Sequence, residues 1–448
     1  MPNNDIDIKA GYKQVFIIAY PVMFSMIANS LHHLTDTYFL GMVNSAQQGA
    51  SGLGGTLTWT TFCLFVGTIN VIITFTSQSY GAKKFKECAK PFWIGIWFSI
   101  FAGFITAGLI LFLPALIKLI TPQKEIIRPF YLFTSIKLAG SIFVYFNFAF
   151  VNFFNGLGKT KIPMFIGIFT NLLNVFLDWL LIFGNWGFPR LEIAGAAWGT
   201  IISIAAGNII LFFIFSAPKM KETFATTNIY FPSIKEIKRF LNIGFPIGIQ
   251  MCLGMLAWFT FYSMISNMGV AQLAANSIIL TICMVSFMPG HGLSIAANTL
   301  VGRYIGAGRL DLARQSAYTA IKLAMIIMSL AGLCFLLFRQ QLMELFSKDP
   351  EVIYYGSKIL MIAAAFQIAD AIQGTTSGAL KGAGDTKYPM YLSIIFAWTI
   401  FVPFIYIFGF VFGYGVIGAW FSTFIYFTLL AISYLLRFKN GPWEKIKI

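Results

Sequence analysis

Apolar residues run through this chain in long unbroken stretches rather than in alternating or once-per-turn patterns. Twelve such stretches stand out, roughly 15–43, 53–80, 92–117, 130–155, 162–185, 193–217, 241–268, 277–305, 313–338, 352–380, 388–412 and 416–437. Crossing about 30 Å of hydrocarbon takes ~20 apolar residues as a helix. A membrane barrel would show segments of ~10 residues with alternating polarity. The pattern therefore predicts an all-α integral membrane protein with twelve transmembrane helices. The polar start "MPNNDIDIKAGYK" leads straight into the first stretch, with no short apolar core and small-residue cleavage site, so no cleaved signal is expected.

The stretches fall into two copies of one unit. "AYPVMFSM" (19–26) matches "GFPIGIQM" (244–251), setting Pro21 opposite Pro246. "SYGAKK" (79–84) matches "YIGAGR" (304–309), and "GLGKTKIPM" (156–164) matches "GAGDTKYPM" (382–390) with six identities. "IAGAAWGT" (193–200) echoes "VIGAWFST" (416–423). Offsets of 223–226 predict two six-helix bundles, 1–217 and 241–448, joined by a cytoplasmic linker at 218–240. An even number of helices starts both copies on the same side, which makes them parallel repeats. "SIKEIKRF" within the linker reads as a short interfacial helix. Two facing bundles suit a cleft that opens to either side by rocking, the architecture of secondary transporters.

Composition supports lipid as the solvent. The chain is 58% hydrophobic and 10% charged, against about 25% charged for a soluble protein. Its net charge of +15 does not point to nucleic acid. With both termini cytoplasmic, 22 Lys/Arg face inside, among them Lys83, Lys84 and Lys86, and six face outside. That asymmetry is the positive-inside rule and turns the basic charge towards anionic lipid. Lys137, Lys322 and Lys358 fall near predicted helix ends, where snorkelling accounts for them. The five cysteines have neither metal-ligand nor disulfide-framework spacing. "GLGKT" is not a phosphate loop, since Phe153 stands where that motif needs its first glycine and no strand precedes it. No set of residues for an enzyme is visible, and no cofactor is implied.

The informative residues are the acids at membrane depth, because a charge there costs at least ~2.5–3.5 kcal/mol. Asp36 lies inside the first helix with His32 one turn before it, and Asp178 lies inside the fifth with Asn174 one turn before it. His33 faces elsewhere. Two carboxylates brought together in low dielectric cannot both stay charged cheaply, so they can share a proton. With an amide carbonyl and a hydroxyl, the same oxygens make a cage for a small hard cation.

"TDTYFLG", "NGLGKTKIPM", "NVFLDWLLIFGNWG", "IAGAAWGT" and "GALKGAGDTKYPM" resemble the signature islands of the multidrug and toxic compound extrusion (MATE) transporters, in order over the whole chain. The resemblance implies twelve helices in two lobes, a central cavity, and export of organic cations against an inward proton or sodium gradient. It implies that Asp36, Asn174, Asp178 and Thr200 converge as the ion-coupling site. His32 stands where several relatives have tyrosine. Asp370 is an acid of the second lobe. Some members pair it with a glutamate in the seventh helix, where Gly254 stands here, so Gln250 or Tyr262 is expected to bond it. The missing acid tilts the expectation towards protons over sodium.

Methionines and aromatics suit a wall for varied cations. Met251, Met255, Trp258, Phe259, Met284 and Phe287, with Asp370, Gln250 and Tyr262, are the candidates for substrate contact. Pro21 and Pro246 each remove a backbone hydrogen bond and permit a bend. The expected protein is thus a monomeric antiporter of the bacterial inner membrane. The competing reading keeps the fold and changes the cargo to a lipid-linked saccharide or lipid.

Overall fold

The computed structural model describes residues 11–120 and 124–446, without the side chains of Leu31, His33, Leu119 and Lys445. His33 therefore falls outside what can be assigned. No strand occurs among the described residues. Eleven helices are long and apolar enough to cross a membrane, and a bent pair makes a twelfth span. In chain order they are α1 (Tyr12–Val43), α2 (Ser45–Gly81), α3 (Phe85–Lys118), α4 (Lys124–Ala139 and Ser141–Gly156, bent by 48°), α5 (Lys161–Phe183) and α6 (Ile193–Phe215). The second set is α7 (Ile234–Ser266), α8 (Val270–Gly306), α9 (Leu310–Leu337), α10 (Pro350–Gly382), α11 (Lys387–Val411) and α12 (Gly415–Asn440). Each predicted stretch overlies one of these spans.

One local prediction changes. The segment read as a separate interfacial helix is the first two turns of α7. Ser233 and Glu236 form a capping box: the Ser233 N–H donates to Glu236 Oε2 at 2.9 Å, and the Glu236 N–H donates back to Ser233 Oγ at 3.4 Å. That start signal needs no break before residue 241, so the helix runs on into the apolar stretch.

The repeat islands turn out to be matched pieces of backbone. In "GLGKTK" and "GAGDTK" the helix ends on a left-handed glycine, Gly158 at φ 73° and Gly384 at φ 86°. The residue after each donates its N–H five residues back, Lys159 to Phe154 O and Asp385 to Leu380 O, both at 2.9 Å. This is a Schellman ending, and only glycine adopts its left-handed residue without strain. A second matched device starts the last helix of each set. Gln47 Oε1 accepts from Ile193 N at 2.9 Å, and Gln272 Oε1 accepts from Val416 N at 2.7 Å. Each glutamine satisfies a first-turn N–H that has no partner in its own helix.

By contacts the chain forms two compact units, Phe24–Cys252 (the N-unit) and Met1–Met23 with Leu253–Ile448 (the C-unit). The beginnings of α1 and α7 are thus exchanged between the copies. Inside the N-unit, α7 crosses α2 so closely that a Cβ on Gly67 would lie 2.6 Å from Gly248 Cα. Inside the C-unit, α1 crosses α8 at the matching place, where a Cβ on Gly292 would lie 2.7 Å from Met23 Cγ and 3.0 Å from Ala19 O. Both exchanged segments contain the repeat's proline, Pro21 in α1 and Pro246 in α7. Because a side chain on Gly248 would overlap the Leu64 carbonyl, Gly248→Leu is expected to destabilise the fold by about 1–3 kcal/mol. A drop in the melting temperature of detergent-solubilised protein checks this; an unchanged melting curve would deny the close crossing.

Candidate functional site

The site is built on α1, α5 and α6 of the N-unit. Small residues on α6 allow the approach of α5: a Cβ on Gly195 would meet the Leu181 carbonyl carbon at 2.7 Å, and one on Gly199 would overlap Asp178 Oδ1. The two glycines, four apart in "GAAWG", form a small-xxx-small face, the usual means of bringing membrane helices into backbone contact. This contact leaves Asp178 fully buried and Asn174 1% exposed.

Four of the predicted coupling residues converge with His32. His32 Nδ1 lies 3.2 Å from Asp36 Oδ1 across one turn of α1. The Asp36 and Asp178 carboxyls are within hydrogen-bonding reach of each other. One ligand atom from each of His32, Asp36 and Asp178 lies within 4.8 Å of the other two. Asn174 closes the group. In the amide orientation that satisfies its neighbours, its nitrogen donates to Asp178 Oδ2 at 3.3 Å and to His32 Nδ1, while its oxygen accepts from Thr200 N at 3.1 Å. Thr200 joins through its main chain, since its hydroxyl donates to Ala196 O at 2.9 Å. That hydroxyl keeps lone pairs free to accept. Chemically the group offers several seats for one proton, on either carboxyl or on the imidazole. It also offers carboxylate, amide and hydroxyl oxygens fit for a small hard cation.

The remaining candidates divide between the units. Gln250 and Met251 belong to the N-unit; Trp258, Tyr262, Met284 and Asp370 belong to the C-unit. Trp258 packs among Phe261, Phe401 and Phe427, with ring centroids 5.2–6.4 Å away. Tyr262, Met284 and Phe259 are exposed. The expected bond from Tyr262 to Asp370 is not formed: the Tyr262 hydroxyl lies 3.2 Å from Ser277 Oγ, and Asp370 accepts from Gln373 Nε2 at 3.4 Å. Gln373, one turn along the same helix, costs less to bring close than a group on another helix. Around Gly254 a Cβ would find nothing within 4 Å, so open space stands where the second acid is missing.

The MatE family model matches residues 21–180 and again 246–407, so the two matches begin at Pro21 and Pro246. The chain belongs to the MatE family. A probable multidrug resistance protein NorM of Thermotoga maritima is 29% identical over 97% of this chain and 93% of its own length. The protein of the same description from Bacillus anthracis is 27% identical over 95% and 94%. Among solved structures, one described as the outward-facing conformation of a multidrug resistance MATE family transporter superposes with a TM-score of 0.89 at 20% identity, over 98% of this chain and 97% of that one. A MOP superfamily transporter from Pyrococcus furiosus superposes at 0.88 and 20% identity, over 98% and 97%. These structural likenesses establish the fold. The protein is a multi-pass membrane transporter, and its relatives are transporters rather than enzymes.

Two residues of this MatE chain escaped sequence reasoning. Lys137 does not sit at an end of the span: it lies in the last turn of the Lys124–Ala139 half of α4, just before the bend at Gly140, and so in the middle of the bent pair. Its ammonium lies 4.5 Å from the Phe133 ring centroid, and its charge acts on both Asp36 and Asp178. Snorkelling therefore does not account for it. His291 lies on α8 between Ser286, which accepts from Gln367 Nε2 at 2.8 Å, and Ser294, which donates to Gly374 O at 2.7 Å. That register sets His291 at the level of Asp370 on α10. A single ionisable residue inside a span was the available signal in both cases.

Proposed function

We propose that this MatE transporter exports small organic cations across the bacterial inner membrane in exchange for protons, by alternating access. The cluster of His32, Asp36, Asn174, Asp178 and Thr200 carries the reading, because two carboxylates, one of them fully buried, share their surroundings with a titratable imidazole. A proton taken up there removes one negative charge from the pair and releases the partners of the carboxylate that received it. Asp36 and Pro21 lie on the same helix, α1, which passes from the C-unit to the N-unit just after that proline. Protonation can then change the bend of α1 and with it the access to the substrate. Asp370, Gln250, Met251, Trp258, Tyr262 and Met284 supply the charge and the adaptable surfaces for a cation. The drug class is supported by the relatives described as multidrug resistance proteins. The protein acts as a monomer with both termini cytoplasmic and needs no cofactor beyond the coupling ion.

Uptake of ethidium into inside-out proteoliposomes tests this. An acidic interior should drive accumulation, and an equal sodium gradient at constant pH should not. Accumulation driven by sodium alone would replace the proton by sodium. No accumulation under either gradient, with folded protein, would refute drug antiport and turn attention to a lipid-linked saccharide or lipid as cargo.

A further inference from the structure

We propose that Lys137 is a built-in counter-ion of the Asp36–Asp178 pair, which keeps sodium out of the site and leaves the proton as its exchangeable occupant. The inference rests on the coupling role given above to that pair. From Lys124 to Lys137 the helix descends about 20 Å, and the part of α4 beyond Gly140 adds a similar length on the other side. The ammonium is thus held at membrane depth, over the Phe133 ring. Gly140 seats the bend against α6: a Cβ there would come within 2.6 Å of Ile201 Cγ1, next in sequence to Thr200. Lys137, one turn before, is brought to the level of the coupling cluster.

Among the described residues, the elements packed on its segment carry no acid. The Lys124–Ala139 segment packs on Ser45–Ile69, Lys90–Gly108, Leu109–Phe112, Leu113–Ile120, Ser141–Gly156 and Ile193–Phe215. These six elements contain no acid, and their only charged residues are Lys90 and Lys118. On its own segment, Glu125 and Arg128 lie at the outer end. The acids whose charges act on Lys137 are Asp36 and Asp178, and His32 lies beside Asp36.

Two carboxylates and one ammonium leave the site one negative charge. A single proton on either carboxyl neutralises it and needs only one oxygen. Sodium needs a shell of oxygens close to the resident cation, and an ammonium has no lone pair to offer it. Removing the ammonium without removing its bulk should therefore admit sodium.

The test uses full-length wild type, Lys137→Met, Lys137→Gln and Lys137→Arg in inside-out proteoliposomes, with ethidium uptake under a proton or a sodium gradient. Sodium-dependent thermal stabilisation of the purified proteins gives a second readout. Wild type and Lys137→Arg should respond to protons only. In the neutral variants the sodium concentration for half-maximal effect should fall at least about tenfold, the scale of one nearby unit charge in a partly buried site. Methionine and glutamine fail in different ways, so one folded neutral variant suffices. A folded neutral variant with wild-type ion preference, or a wild type already driven by sodium, would overturn the proposal. Asp36→Asn in the same vesicles tests the coupling reading separately. If it transports like wild type, that reading falls; if it is inactive while the neutral Lys137 variants keep wild-type preference, only the role of Lys137 falls.

Discussion

Asp36→Asn is expected to lower gradient-driven transport at least about a hundredfold, at the low end of what a positioned proton-transfer group contributes, while the protein folds and still binds the cationic substrate. The amide has the shape of the carboxyl and fits the same place beside His32, whose Nδ1 lies 3.2 Å from Asp36 Oδ1. It cannot take up or release a proton. Folding should not suffer, because replacing a buried charge by a neutral group lifts a desolvation cost. Ethidium binding by fluorescence, measured beside uptake, separates the two effects. A variant that binds and also transports at the wild-type rate would remove Asp36 from coupling. Loss of binding with loss of folded protein would instead make Asp36 a staple between α1 and α5.

Gly199→Ala should damage the same site without altering any charge. A methyl group there would overlap Asp178 Oδ1 and stand 3.5 Å from the side-chain amide of Asn174. Either α6 moves away from α5 or the carboxylate leaves the Asn174 and Asp36 contacts. The expected result is a loss of transport of about tenfold or more together with a destabilisation of about 1–3 kcal/mol, the usual cost of overpacking. Full transport by a stable Gly199→Ala variant would show that the α5–α6 contact does not set the geometry of the cluster.

The spans were legible because each holds enough consecutive apolar residues to leave no alternative to a membrane helix. The repeat was legible because its islands are backbone devices with strict demands: left-handed glycines at Gly158 and Gly384, and helix starts at Ile193 and Val416 held by matched glutamines. Asp36 and Asp178 stood out because a carboxylate at membrane depth needs a reason. The exchange of the first parts of α1 and α7 was not legible, since it rests on crossings between residues far apart in sequence, such as Gly67 with Gly248. Gly199 looked like one more small residue in an apolar helix. Lys137 was misplaced because the start of α4 is polar, "KEIIRPF", which made the span appear to begin later than Lys124. The partner of Asp370 was sought on α7, although the sequence "DAIQG" already places Gln373 one turn away.

Proton exchange at the Asp36–Asp178 cluster is the central claim, and proton movement caused by substrate alone tests it most directly. Proteoliposomes filled with a pH-sensitive dye, with no gradient imposed and no sodium present, would receive ethidium on the side corresponding to the cytoplasm. Entry of ethidium should be matched by departure of protons, raising the internal pH in wild type. A protonophore should abolish the change, and Asp36→Asn and Asp178→Asn should not show it. Ethidium entry at the wild-type rate with a constant internal pH, or an identical pH change in both variants, would contradict the account.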